Sequence, residues 1–218
     1  MNGLLDPLRQ IAEIGGPVVM ILLAVSIVTL ATILYKIWQF TSAGVGRHTA
    51  LQQAVTAWDE GDRSAARAAL ARSSSYLAPV IDMAFSSIPA DAQRLSAEAE
   101  TRFAKLESGF RLLDSVAQLA PLLGLFGTVL GMIEAFQALQ DAGAQVDPSI
   151  LAGGIWVALL TTAVGLAVAM PTALVLSWFE GRMDAERVTA ERALAAVLHP
   201  RGARLGGHVA DGAAAQGA

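Results

Sequence analysis

The sequence predicts an all-α integral membrane protein with three transmembrane helices and long cytoplasmic helical extensions. Of its 218 residues, 54% are hydrophobic and only 16% are charged. The apolar residues are gathered into three long blocks that are almost free of charge, at residues 17–39, 115–140 and 150–179. Each block is long enough to cross a hydrocarbon core about 30 Å thick, whereas a soluble domain of this length would show its apolar residues in periodic stripes.

The distribution of Lys and Arg predicts the orientation in the membrane. Basic residues are concentrated in residues 40–114 and 180–218, while residues 1–16 contain only Arg9 and residues 141–149 contain none. Because basic loops stay in the cytoplasm, we expect residues 1–16 and 141–149 outside and residues 40–114 inside as a helical segment. Residues 180–218 are then a cytoplasmic helix followed by a disordered tail. The cations follow the first block instead of preceding it, which favours a membrane span over a signal peptide.

Composition argues against several classes of function. The net charge is −4 and no basic cluster with interleaved aromatic residues is present, so we expect no nucleic-acid partner. The absence of cysteine excludes disulfides and thiolate metal sites, and the three histidines lie far apart, so no metal site is predicted. No phosphate-binding glycine loop, paired carboxylates or nucleophile setting appears. We therefore expect neither an enzyme nor a cofactor.

An apolar stripe leads into the second block. Its residues recur at spacings of four and three, which predicts one long helix that continues into the membrane. The stripe consists of Leu95, Ala99, Phe103, Leu106, Phe110, Leu113 and Ala117. Two explanations remain open at this point, namely packing inside one chain and a seam against neighbouring subunits.

Small and hydroxyl-bearing residues recur on one face of the second and third blocks. In the second block these are Gly124, Thr128, Gly131 and Ala135, flanked by Gly127; in the third they are Gly154, Ala158, Thr162, Gly165 and Ala169, with Thr161 beside them. Such faces let membrane helices approach closely, and close packing alone is one explanation. The other is that Thr128, Thr162 and Thr161 line a narrow polar pore, where hydroxyls hold water or relay a proton.

A hydroxyl cannot carry the charge of a proton by itself, so a pore of this kind needs a carboxylate. Glu134 is the candidate within the second block, about two turns outward of Thr128 and close to the outer boundary. It is a candidate outer-side acid, and the alternatives are an interfacial residue or a contact with a partner. The central carboxylate is then expected from another protein.

Two stretches resemble a known family. APLLGLFGTVLGMIEAF at residues 120–136 and GIWVALLTTAVGLAVAMP at residues 154–171 resemble the ExbB/TolQ/MotA proton-channel family, most closely its three-span ExbB/TolQ branch. The resemblance implies a subunit of the bacterial inner membrane with a periplasmic N-terminus. It implies a homo-pentamer around the helices of an ExbD/TolR-like dimer, whose membrane aspartate takes and releases the proton. A TonB/TolA-like protein and membrane lipid are further partners, and Thr128 and Thr162 match the family's pore threonines.

One residue departs from the family pattern. ExbB and TolQ proteins usually carry a glutamate where this sequence has Val157. Three alternatives follow: the partner's aspartate and water suffice, conduction is altered, or the protein assembles without conducting.

The function predicted from the resemblance is a proton-channel subunit that couples the proton-motive force to work at the outer membrane or in envelope or protein-import transport. The alternative is a non-conducting membrane scaffold that assembles partner helices.

Overall fold

The computed structural model describes residues 16–86, 91–141 and 148–200, and within these ranges all regular secondary structure is α-helical. This confirms the predicted all-α fold. The helices are α1 (Gly16–Ser42), α2 (Thr49–Asp59), α3 (Arg63–Leu70), α4 (Ala78–Ser86), α5 (Ala92–Glu107), α6 (Phe110–Asp141) and α7 (Pro148–Leu198). Most of the predicted outer segments and the tail from residue 201 lie outside the described ranges.

Three of these helices are long and apolar enough to cross a membrane: α1, α6 and α7. They contain the three apolar blocks of the sequence. Helix α7 has 51 residues, which corresponds to about 75 Å at the helical rise. Since the hydrocarbon core is only about 30 Å thick, α7 is far longer than a membrane span, as its apolar block together with the following polar residues suggested.

The chain forms two compact units. The apolar unit comprises the described residues of Met1–Tyr35 and Gly109–Phe179, and the polar unit those of Lys36–Ser108 and Glu180–Ala218. Helices α1 and α7 each contribute residues to both units.

In the apolar unit, α1 packs against α6 and α7. Val18 and Leu22 of α1 form one buried cluster with Val116, Ala120 and Ala169. The outward side chains of these helices are apolar as well, and Leu122, Leu125 and Leu174 are each more than half exposed. A surface of this kind suits lipid or the helices of neighbouring chains.

In the polar unit, the core is built around stacked aromatic rings. The rings of Trp58 and Phe85 stack at a centroid distance of 3.9 Å, and Trp58 Nε1 donates to the carbonyl of Val197 at 3.2 Å. The first four residues of the apolar stripe, from Leu95 to Leu106, are buried here within a single chain. Packing inside the chain, one of the two explanations left open, therefore accounts for this part of the stripe.

The prediction that the stripe forms one continuous helix is wrong. Helix α5 ends at Glu107 and α6 begins at Phe110, because Gly109 has a φ of +92°, a left-handed conformation that ends helices. Lys36 Nζ donates to the carbonyl of Leu106 at 3.0 Å, so a carbonyl at the end of α5 is satisfied by a buried side chain of α1.

Candidate functional site

The backbones of α6 and α7 approach closely through glycine. A Cβ placed on Gly165 would lie 2.6 Å from the carbonyl oxygen of Ala120, and one placed on Gly124 would lie 2.9 Å from that of Thr161. Both distances are shorter than any relaxed carbon contact, so only glycine fits at these two positions. The α6–α7 interface therefore depends on the absence of side chains.

The interface uses a slightly different face from the one that the spacing suggested. On α6 its buried residues are Gly124, Gly127, Gly131 and Ala135; on α7 the residues that meet them are Gly154, Ala158, Thr161, Thr162 and Gly165. These include all six residues predicted for helix packing. Thr128 is the residue after Gly127 on α6, whereas the Cα of Thr162 would lie 3.0 Å from a Cβ placed on Gly124 and so belongs to the interface through its backbone.

Thr161 lies inside the α6–α7 interface. Its side chain is 2% exposed, and its Oγ1 lies 2.7 Å from the carbonyl of Ala158 and 3.1 Å from that of Gly124 on α6. The hydroxyl shares its proton between these two carbonyls in a three-centre hydrogen bond. Its oxygen can still accept a hydrogen bond from another donor. The structure thus gives Thr161 a role in holding the two helices together.

Thr128 and Thr162 differ in how their hydroxyls are satisfied. Thr128 is partly exposed, and its Oγ1 donates to the carbonyl of Leu125 in its own helix at 2.6 Å. The Oγ1 of Thr162 is buried and has no hydrogen-bond partner among the described residues. A buried hydroxyl without a partner costs about 1–3 kcal/mol, so Thr162 is the polar side chain of this region that gains most from water or a partner group.

Glu134 and Val157 line the same cavity. The cavity has a volume of about 320 Å³ and lies between the start of α1, the end of α6 and the start of α7. Glu134 belongs to α6 and Val157 to α7, and Thr161 lines the cavity too. Val157 therefore lines the same cavity as a carboxylate that this chain places on a different helix.

The polar unit contains a buried cluster that the sequence did not reveal. Glu186 of α7 is 2% exposed, and its Oε2 accepts from His48 Nε2 at 2.7 Å and from the hydroxyl of Tyr76 at 2.9 Å. His48 Nδ1 in turn lies 3.2 Å from the hydroxyl of Ser75. Since the carboxylate can only accept, His48 Nε2 carries the proton of this hydrogen bond.

The charge of Glu186 is maintained by these neighbours. Burial raises the pKa of its carboxyl group, but hydrogen bonds from His48 and Tyr76 and the nearby backbone N–H of Gly46 outweigh burial and hold the pKa below its ordinary value. Burial and the charge of Glu186 raise the pKa of Tyr76. Glu186 is therefore an ionised hydrogen-bond acceptor at neutral pH. It lies seven positions after the end of the last apolar block at residue 179, outside the predicted membrane span.

The described ranges contain no group of three or more His, Asp or Glu side chains able to hold a metal ion. Within the apolar blocks at residues 115–140 and 150–179, Glu134 is the single Asp or Glu.

The fold and this site define a multi-pass α-helical membrane protein whose two long apolar helices pack through glycine and carry adjacent hydroxyls. The pattern of the MotA/TolQ/ExbB proton channel family matches residues 57–192, more than half of the chain. The chain belongs to this family.

Individual relatives agree over shorter stretches. The chain is 46% identical over 74 residues to a putative biopolymer transport protein ExbB homolog of Methanothermobacter thermautotrophicus, a match that covers 34% of this chain and 25% of that protein. It is 47% identical over 60 residues to the biopolymer transport protein exbB1 of Vibrio cholerae, covering 28% and 26% respectively. It is 41% identical over 73 residues to the Tol-Pal system protein TolQ of Haemophilus influenzae, covering 34% and 32%. These matches span only about a quarter to a third of the relatives' lengths.

Proposed function

We propose that this chain is a proton-channel subunit of the bacterial inner membrane. In this role it couples the proton-motive force to work at the outer membrane, or to envelope or protein-import transport, through a partner protein. The observation that carries the proposal is the pair Thr128 and Thr162, which lies beside the tightly packed α6–α7 interface in the stretch shared with the family. Relatives named for biopolymer transport and for the Tol-Pal system support the link to the cell envelope.

The proposed proton path needs a second protein. Residues 150–179 contain no Asp or Glu, and Glu134 is the single acid of residues 115–140. Hydroxyls can pass a proton along a chain of hydrogen bonds, but a group that takes and releases it must be titratable. We therefore assign that step to an intramembrane carboxylate of an ExbD/TolR-like single-span partner. A TonB/TolA-like protein would carry the work onward.

The proposed path also needs several copies of this chain. A single α6–α7 pair cannot enclose a partner helix, whereas a homo-pentamer presents five copies of Thr128 and Thr162 to a shared centre. The exposed apolar side chains of α6, such as Phe126 at 53%, are compatible with contacts between copies as well as with lipid. With residues 40–114 and 180–218 in the cytoplasm, the start of α1 faces the periplasm.

Proton flux in liposomes tests this proposal. The chain is reconstituted with and without an ExbD/TolR-like single-span protein, and internal acidification is followed under an imposed membrane potential. We expect flux only when both proteins are present, and loss of that flux when the partner's intramembrane aspartate is changed to asparagine. Flux from the chain alone would contradict the assignment of the carboxylate to the partner.

The valine at position 157, where the family usually has glutamate, favours one alternative function, a non-conducting scaffold. A subunit that lacks the family's usual glutamate could hold partner helices together without conducting. In the same liposomes, a stable complex with no flux above that of empty liposomes would establish the scaffold and overturn the channel.

A further inference from the structure

The cavity at the α1 end of the apolar unit combines free volume with a carboxylate. Its volume of about 320 Å³ is sufficient for about ten water molecules at their liquid volume. Glu134 is the one charged side chain among the described residues that line it, and Thr161 is the one other residue there with a polar side chain.

The cavity exists because glycines line it. Gly127 and Gly131 contribute from α6, and Gly153 and Gly154 from α7. A Cβ placed on Gly153 would meet no described atom within 4 Å, whereas one on Gly131 would touch Ala158 at 3.2 Å. Helices α6 and α7 are therefore in contact at Ala158 and leave space around Gly153, which lines the same cavity as Glu134.

A carboxylate beside such a space within a membrane helix needs water. Within residues 16–86, 91–141 and 148–200, Glu134 takes part in no hydrogen bond or ion pair. Glu134 is exposed in the single chain. Where lipid or a neighbouring copy covers it, an unsolvated charge costs several kcal/mol, and water in a protein cavity is one of the usual ways of avoiding this cost. Lipid tails in the cavity would leave the carboxylate unsolvated.

We propose that this cavity is a water-filled vestibule within each subunit, and that Glu134 is the acid through which protons enter it from the outer side. Water beside Glu134 leads to the oxygen of Thr161, which can still accept a hydrogen bond. Thr162, with its buried hydroxyl, is the next residue in the chain. The role of Glu134 in proton entry rests on the proposed function, but the presence of water and of its charge in the cavity does not.

Thiol labelling tests the vestibule without any proton flux. The chain has no cysteine, so Gly153→Cys supplies a single thiol in the cavity and Leu159→Cys a matched thiol on an apolar side chain that is 62% exposed and does not line it. In right-side-out membrane vesicles, we expect a cationic, membrane-impermeant methanethiosulfonate to modify Gly153→Cys at least about tenfold faster than Leu159→Cys. An unreactive Gly153→Cys, or one modified only in inverted vesicles, would overturn the vestibule.

The charge of Glu134 is tested in the same assay. With Glu134 present, the cationic reagent should react with Gly153→Cys about tenfold faster than an anionic methanethiosulfonate, after correction for their rates with a free thiol. Adding Glu134→Gln should bring the corrected ratio close to one. A ratio that does not change would show that Glu134 does not face this water, and would contradict the proposal.

The role in proton entry is tested by moving the carboxylate. In the liposome assay with the partner, Glu134→Gln should lower proton flux about tenfold. Combining it with Val157→Glu should restore most of the flux, because both side chains line the same cavity. Full flux with Glu134→Gln alone would contradict proton entry through Glu134. If the unmodified complex shows no flux, the proposed function fails, while thiol labelling still decides whether the vestibule exists.

Discussion

Gly165→Val is expected to disrupt the α6–α7 interface and to cost about 3 kcal/mol, the upper end for overpacking in a well-packed core. The reason is that the new Cβ would lie 2.6 Å from the carbonyl oxygen of Ala120 and 3.1 Å from the Cα of Gly124. Both are backbone atoms, so no side chain can rotate away and α6 itself must move. The thermal unfolding midpoint of the purified protein in detergent measures the loss.

A matched control is available on the same helix. Gly153→Val introduces the same β-branched side chain into α7, at a position where a Cβ meets no described atom within 4 Å, so its midpoint should stay close to that of the unmodified protein. Gly165→Ala, which adds only the Cβ, should fall between the two and remain measurable if the valine variant does not fold. Equal midpoints for the two valine variants would show that α6 and α7 do not meet at Gly165.

Glu186→Ala is expected to destabilise the polar unit by about 3 kcal/mol. The substitution removes the acceptor of the His48 imidazole at 2.7 Å and of the Tyr76 hydroxyl at 2.9 Å. Each buried donor that loses its partner costs about 1–3 kcal/mol, so two such donors together have an effect well above that of a surface change. Urea unfolding followed by tryptophan fluorescence measures it, since Trp58 lies in the core of this unit.

The control for this change is Glu191→Ala, which removes an exposed carboxylate of the same helix and should alter stability by no more than about 0.5 kcal/mol. A double-mutant cycle with His48→Ala separates the pair from the rest of the cluster. We expect the effects of the two substitutions to be non-additive because the side chains share a hydrogen bond. Additive effects, or a Glu186→Ala variant as stable as the control, would contradict the cluster.

The membrane helices were predictable because their signal is local. Three long blocks almost free of charge predict three spans without any knowledge of tertiary contacts, and the repeated glycines predict close packing of α6 and α7. Which of two adjacent threonines bonds to α6 through its hydroxyl was not predictable. Thr161 and Thr162 differ by about 100° around the helix, and the choice depends on how α6 and α7 are rotated against each other.

Two other features show the limits of periodicity and of spacing. The apolar stripe continues through Leu106 and Phe110, which are both buried, although the helix is interrupted between them at Gly109. The Ser108–Gly109 pair was a signal for this break, since glycine is the usual residue just after a helix. In contrast, His48 and Glu186 are 138 positions apart, and no local pattern connects a lone histidine with a distant glutamate.

The measurement that tests the central claim most directly is proton flux through the complex when single hydroxyls are removed. Thr162→Val keeps the volume of the side chain and removes the buried Oγ1, and Thr128→Val does the same on α6. Thr32→Val is the control, because its exposed hydroxyl donates only to the carbonyl of Val28 in its own helix at 2.8 Å. All three complexes should assemble. We predict that flux falls about tenfold or more for Thr162→Val and Thr128→Val, as an increase of about 1.4 kcal/mol in the barrier would produce. Thr32→Val should conduct normally. Unchanged flux in both the Thr162 and the Thr128 variants would contradict the account.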